Sequence, residues 1–501
     1  MCNRAPVGIE NSVRRFELGH CAQLGVAAGD DGTAVDLRVS VAMLVGLFAV
    51  VACGSPGPVS PTRPSAGHAS SAVGISVRLG RDWPTYHAEP TRAGLLPDGP
   101  DPSGPTVAWH TPLDGAVYAS PLVVGGRLLA ATEAGSLYAL DAATGAVLWR
   151  AHLADPVPGS ALPCGDIDPV GITGTPVYDP TSGEVFAVAL GAGVVHTLFG
   201  VDVANGRIAQ QRVADAPGSE PGTQLQRGAL LLSRGMIYIP YGGNYGDCGQ
   251  YLGRVVAAPT AGIGPLLDFA VPTTREGGIW APPGPTALMN GDLLVTTGNG
   301  EAVNGEWDHS DSALRLSADL RLRDGFAPVG WAQENSEDAD LGSTGPVLLP
   351  DGHQLLVAGK GGGIYLLNID ALGGVGGQRA QLTGCESYGG ATVRPGPGST
   401  AQAYLPCQSG LLQVLIGPDQ LTRGWQAPGT ITGSPILVGH TVWSAQPDGT
   451  LDALDAADGH LRATLNIGAV SRFATPAASG TALFLPTLDG ITAVAIAPKI
   501  R

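Results

Sequence analysis

GSLYALDAATGAVLW, Gly135–Trp149, is the stretch on which the fold turns. SLYAL alternates apolar and polar residues as a half-buried strand does. D-A-A-T-G follows, a tight turn in which Asp141 hydrogen-bonds its own backbone and Gly145 takes φ > 0. AVLW then opens a second strand, so the stretch is one β-hairpin. A close relative returns far downstream as GTLDALDAADGHLRA, Gly449–Ala463, with Asp455 and Gly459 in the same places.

Degraded copies lie between, and from about residue 105 onward a recurring opening marks every copy. YASPLVV at Tyr118, ITGTPVY at Ile172, QRGALLL at Gln226 and WAPPGPTAL at Trp280 open four of them. GSTGPVLL at Gly342, YGGATV at Tyr388, ITGSPILV at Ile431 and FATPAAS at Phe473 open four more. Each opening leads into two further apolar strands, at a spacing of about 40 to 65 residues, the range of four-stranded propeller blades. Eight openings predict an all-β, eight-bladed β-propeller, or seven blades if one weak copy is an insertion. The last copy runs out near Ala497 after three strands, while TVAWHTPL, Thr106–Leu113, precedes the first opening with no partner of its own. That orphan is expected to pair onto the last blade and close the ring, removing an exposed sheet edge.

Composition agrees. Of 501 residues, 75 are Gly and 41 Pro, and 44% are hydrophobic, which supplies many turns and a large core. A net charge of −16 and the absence of any Lys/Arg-rich run exclude nucleic acid as a partner.

Leader, tether and propeller are assigned to residues 1–53, 54–80 and 81–501. VSVAMLVGLFAVVA, Val39–Ala52, is apolar, preceded by Arg38 and followed by Cys53. It has the length of a secretory signal core. Val50-Val51-Ala52-Cys53 resembles a bacterial lipobox, which implies a lipidated Cys53 and anchoring on the extracytoplasmic side of the cell membrane. The residues before Val39 are too many for an ordinary signal start, and Arg14-Arg15 sits too far from the apolar run for a twin-arginine signal. The Gly-, Ser- and Pro-rich residues after Cys53 read as a tether.

Four cysteines remain in the body, Cys164, Cys248, Cys385 and Cys407, with no C-x-x-C pair. An even number suggests two disulfides and an oxidising compartment. Of three pairings, Cys385 with Cys407 is favoured because both fall in one repeat on neighbouring strands, leaving Cys164 with Cys248. The first loop would stabilise by about 3 kcal/mol in the chain-entropy treatment.

G-x-L-Y-A-L-D-A-x-T-G-x-x-x-W, filled by Gly135–Trp149, resembles the repeat of PQQ-like (quinoprotein dehydrogenase-type) propellers. The resemblance implies that a terminal tryptophan, Trp109, Trp149 or Trp425, docks against the next blade, a position where Ala463 departs. Trp83-Pro84-Thr85-Tyr86 with Arg92-Ala93-Gly94 resembles the segment that precedes blade one in such proteins. Quinoprotein dehydrogenases hold PQQ and Ca²⁺ on the axis. Carried over, Thr297-Gly298-Asn299 resembles the element bearing an asparagine cofactor and metal ligand. Asp308 or Glu306 falls where a catalytic aspartate would stand. Tyr241-Gly242-Gly243-Asn244 resembles a segment whose glutamate ligand is here Asn244, and no two cysteines are adjacent. The acidic run Glu334–Asp340 reads as a solvated loop. Gly359–Leu367, though glycine-rich, lies between strands and opens no helix, so it does not read as a phosphate loop.

Two functions follow as expectations. One is a lipid-anchored, monomeric binding or scaffold propeller of the cell envelope, its loops meeting a protein or glycan. The other is a PQQ- and Ca²⁺-dependent dehydrogenase of an alcohol or sugar.

Overall fold

A computed structural model describes residues 77–496 except 399, 431 and 432; the leader, Cys53 and most of the tether lie outside the described residues. Eight sheets follow one another, each built on a four-stranded antiparallel meander that in three sheets gains a fifth short strand, and together they form an eight-bladed propeller. Blade one is Leu122–Val124, Arg127–Ala131, Ser136–Asp141 and Val147–His152. Blade eight takes Ala477–Ser479, Ala482–Thr487 and Gly490–Ala495 from the C-terminal end and Thr106–Pro112 from the front. The borrowed strand pairs from Thr106 opposite Ala495 to Pro112 opposite Gly490, closing the ring as the unpartnered TVAWHTPL foretold.

The hairpin repeat has a packing reason. Asp141 Oδ1 accepts from the backbone N–H of Ala143 and Thr144 at 3.0 and 2.9 Å. Gly145 has φ 75°, and a Cβ there would meet the Trp109 ring at 2.6 Å. The pattern repeats around the ring, with Gly206 over Trp149 and Gly459 over Trp425. Trp149 Nε1 donates to Val203 O of blade two at 3.0 Å, so the terminal tryptophan does dock on the following blade. Glycine is therefore required twice, by its dihedral and by the indole against it.

One expectation needs correction. Ser136–Asp141 is not half-buried: five of its six residues are buried. Blades stack face to face, so inner strands are covered on both sides and only the outermost strand, such as Val147–His152, meets water. Apolar clusters fill the gaps between neighbouring blades, for example Leu137, Ala139, Val185 and Phe199 between blades one and two.

Meander connectivity sorts the loops. Connections between blades, and the loops joining second to third strands, gather at one end of the ring; the remaining turns lie at the other. From that other end Val77–Asp101 enters the axis. Arg78 O accepts from Thr481 N in blade eight, Trp83 pairs with Val123 in blade one, and Pro84 O accepts from Tyr178 N in blade two. Ala93 O and Gly94 O accept from Val393 N and Leu437 N of blades six and seven, and Leu95–Leu96 runs parallel to Leu437–Val438. Trp83, Tyr86, His87 and Arg92 are wholly buried in this plug, His87 with φ 55° and Arg92 with φ 65°. Among the described residues Arg92 has no carboxylate partner. Its guanidinium donates instead to Thr85 Oγ1, Tyr86 O, Leu230 O and Pro285 O at 2.8 to 3.2 Å, tying blades three and four to the plug. Burial draws its pKa down to about 9.

Candidate functional site

Above the plug the axis opens into a funnel of two chambers. Tyr86, at the tip of the plug, floors the first, of ≈ 280 Å³; the second, of ≈ 410 Å³, holds Asn244, Asn299, Asp340 and Lys360. Arg227 and Arg472 line both.

The second chamber is built around a buried ion pair. Asp340, 2% exposed, accepts from Asn299 N at 2.5 Å and meets Lys360 Nζ at 2.5 Å. Lys360 also reaches Asp338 at 2.6 Å. Burial holds Asp340 above the usual carboxylate range against the pull of Lys360, and these carboxylates raise Lys360. Asp311 stands behind, wholly buried, its Oδ1 accepting from Leu341 N; burial first, then the Asp340 charge, push it well up. Glu276 supports Asn299, whose Nδ2 lies 3.4 Å from its carboxylate, and is itself paired with Arg275. Burial takes Glu276 to about 7.

Of the residues singled out from sequence, Asn299 and Asn244 line this chamber. Asn244 Nδ2 donates to Gly222 O at 2.8 Å. Asp308 does not reach the funnel: it accepts from Thr273 Oγ1 and from the N–H and hydroxyl of Ser310 in its own loop. Glu306 is exposed in that loop. Both disulfides form in the favoured pairing, Cys164–Cys248 and Cys385–Cys407. The first holds the loop whose Gly246 lines the second chamber. The second does not lie within one repeat: Cys385 follows the last strand of blade five and Cys407 ends the second strand of blade six.

The acidic run is likewise not a solvated loop, because Trp331–Glu337 is helical and Asp340 is buried. Asp340 and Lys360 went unrecognised because each looks like an ordinary surface charge in its own segment. The signal available was positional. One precedes a blade opening and the other follows a second strand, places that also put Arg472, Asn244 and Asn299 on the chamber walls.

Calcium does not fit these residues. The ion needs six to eight oxygens in a cage, yet both Asp340 oxygens are taken, one by the Asn299 amide and one by a cation. Among the described residues no three His, Cys, Asp or Glu side chains converge as a metal-binding group. Trp280, the broad aromatic wall, already has the Arg227 guanidinium 5.4 Å from its ring centroid. The cationic groups suit an anion, but the ring is not bare for a flat one.

No curated protein matches the chain by sequence. The family model described as outer membrane protein assembly factor BamB matches residues 101–257. Among solved structures, the quinohemoprotein alcohol dehydrogenase of Comamonas testosteroni superposes with TM-score 0.64 at 16% identity, over 84% of this chain and 81% of that one. A europium-containing methanol dehydrogenase gives 0.63 at 14%, over 83% and 98%. BamB of Moraxella catarrhalis gives 0.54 at 15%, over 78% and 99%. These identities speak for architecture alone. In repeat and in fold, the chain is similar to PQQ-like β-propellers.

Proposed function

We propose that this chain is an extracytoplasmic binding propeller of the cell envelope, tethered to the membrane through a lipidated Cys53, whose ligand enters the axial funnel. The observation that carries it is the funnel wall: charged side chains withdrawn from water at the ring's centre, where apolar packing would hold the fold as well. Burying charge is unfavourable unless something uses it. Two disulfides support an oxidising compartment. Among the described residues no helix is long and apolar enough to cross a membrane, consistent with a tether supplying any attachment. The envelope partner suggested by the BamB likeness, a protein or glycan, would meet the loops around the funnel mouth.

The test uses the anionic aromatic dye anilinonaphthalene sulfonate with the full chain. One dye should bind per chain, and Arg472→Gln should weaken it about tenfold, the worth of one charged hydrogen bond. Absence of saturable binding, or binding indifferent to Arg472, would overturn the reading. Membrane fractionation tests the anchor: Cys53→Ser should move the protein to the soluble fraction or leave its leader uncleaved.

A second reading, a PQQ-dependent dehydrogenase, is favoured by the meeting of Asn299, Asp340 and Lys360 in one chamber. PQQ carboxylates would find Lys360, Arg227 and Arg472 there. Titration with PQQ, with and without Ca²⁺, and dye-linked alcohol oxidation separate the two. A stoichiometric, calcium-dependent and active complex would replace the first reading.

A further inference from the structure

The two arginines at the funnel centre stand in a ladder of aromatic rings. Arg227 Cζ lies 5.4 Å from the Trp280 centroid and 5.1 Å from that of Phe473. Arg472 Cζ lies 4.7 Å from Phe473 and 5.3 Å from Tyr388. Ring faces hold a cation but do not take up its N–H donors, of which each guanidinium has five. Among the described residues neither arginine donates a side-chain hydrogen bond or joins an ion pair; their side chains make ring contacts. Asp166 on the rim and Asp247 in the second chamber act on Arg227 through their charge, as Glu133 does, but none of them forms an ion pair with it among the described residues. Burial, and the like charge of Arg472, lower Arg227. Two guanidiniums therefore face one space with their donors unspent, in a protein whose net charge is −16.

The first chamber carries a second kind of unmet valence. Ser120 and Ser471 line it, and their buried hydroxyl oxygens have no hydrogen-bond partner among the described residues. Ser120 is 2% exposed. Buried hydroxyls without partners are uncommon, because each forfeits its bonds to water. Tyr118 adds an aromatic ring to the lining of the same space, whereas the Phe473 ring is already taken by the two guanidiniums.

We infer that the first chamber binds a small hydroxylated carboxylate, a sugar acid, with its carboxylate on Arg227 and Arg472, its hydroxyls on Ser120 and Ser471, and its ring against Tyr118. This rests on the funnel being the ligand site. Planar guanidiniums match a carboxylate with paired N–H donors. A hydroxyl both donates and accepts, so serine hydroxyls can complement hydroxyls of the ligand in either sense. At ≈ 280 Å³ the chamber lies at the small end of ligand pockets, the size for one sugar ring and too small for a peptide.

The experiment is dye displacement and calorimetry on the full chain with D-glucuronate, glucose and acetate. Glucuronate should bind one to one and displace the dye, with glucose and acetate each at least about tenfold weaker, because each lacks one half of the recognition. Arg227→Gln and Arg472→Gln should weaken both glucuronate and acetate, whereas Ser120→Ala and Ser471→Ala should weaken glucuronate alone. Melting curves matching the parent show that the serine variants fold. Glucose equal to glucuronate, acetate equal to glucuronate, or serine variants without effect would each overturn the assignment. If the dye binds and glucuronate fails to displace it, the ligand class falls while the funnel stands; if the dye does not bind, both fall.

Discussion

Arg92 and Arg227 lie on the same axis, and the contrast between them separates architecture from site. Arg92 is sealed in the plug with its donors spent on four protein oxygens from the plug itself and from blades three and four. Arg227 and Arg472 sit a short way above, only partly buried, held by rings and facing open chambers. A buried charge whose hydrogen-bonding capacity is filled holds blades together. One whose capacity is unfilled is available to something that arrives.

The sharpest way to break this comparison is Arg92→Met. It leaves Pro285 O, Leu230 O, Tyr86 O and Thr85 Oγ1 without their donor, which should cost at least about 3 kcal/mol and lower the melting temperature by several degrees. A variant as stable as the parent would show that the plug is not held through Arg92.

Glu133, a buried charge tied to the chain entering blade two, gives an effect of similar order. Its Oε2 accepts from Gly171 N at 2.7 Å, Oε1 has no partner of good hydrogen-bond geometry among the described residues although the Thr173 hydroxyl stands close, and burial raises its pKa from 4.5 to about 7. The folded state thus binds this proton more tightly than the unfolded chain does. The carboxyl's contribution is fully favourable below pH 4.5, is lost progressively as pH rises to about 7, and stays lost above. Glu133→Gln keeps an oxygen for Gly171 and removes the charge. It should gain up to about 3 kcal/mol over the parent above neutrality and nothing at acid pH, where both are uncharged. Denaturant melts of both chains from acid to mildly alkaline pH give the difference directly. A constant difference across that window would refute the assignment.

Arg472→Gln should have the smallest effect on stability, within about 0.5 kcal/mol of the parent, since no protein acceptor loses its donor. The prediction sharpens the contrast because the same variant should lose dye binding. A large loss of stability would place Arg472 with Arg92, as architecture.

Much of the fold was legible before any coordinates. Eight openings, a hairpin with Asp and Gly at fixed offsets, an unpaired front strand and an even set of cysteines are all written within single segments. The error over Ser136–Asp141 is instructive: alternation in residue type suggested one buried face, but stacking of blades covers both. The site was legible only in part. T-G-N drew attention to Asn299, which does line the funnel, whereas Glu306 and Asp308, carried over from the resemblance as the place of a catalytic aspartate, line neither chamber.

What the sequence by itself determined is whatever a few neighbouring residues can encode: turn dihedrals, strand periodicity, the glycine beneath each docking tryptophan, and the count of repeats. Only the tertiary structure decided which side chains share the axis. Asp340 meets Lys360, and Arg227 meets Phe473, because closure of the ring brings the openings and loops of distant blades to one point. The physical reason is that turn and strand preferences act over a few residues, while a charge acquires its meaning from the partners, or the lack of partners, that the closed ring puts around it.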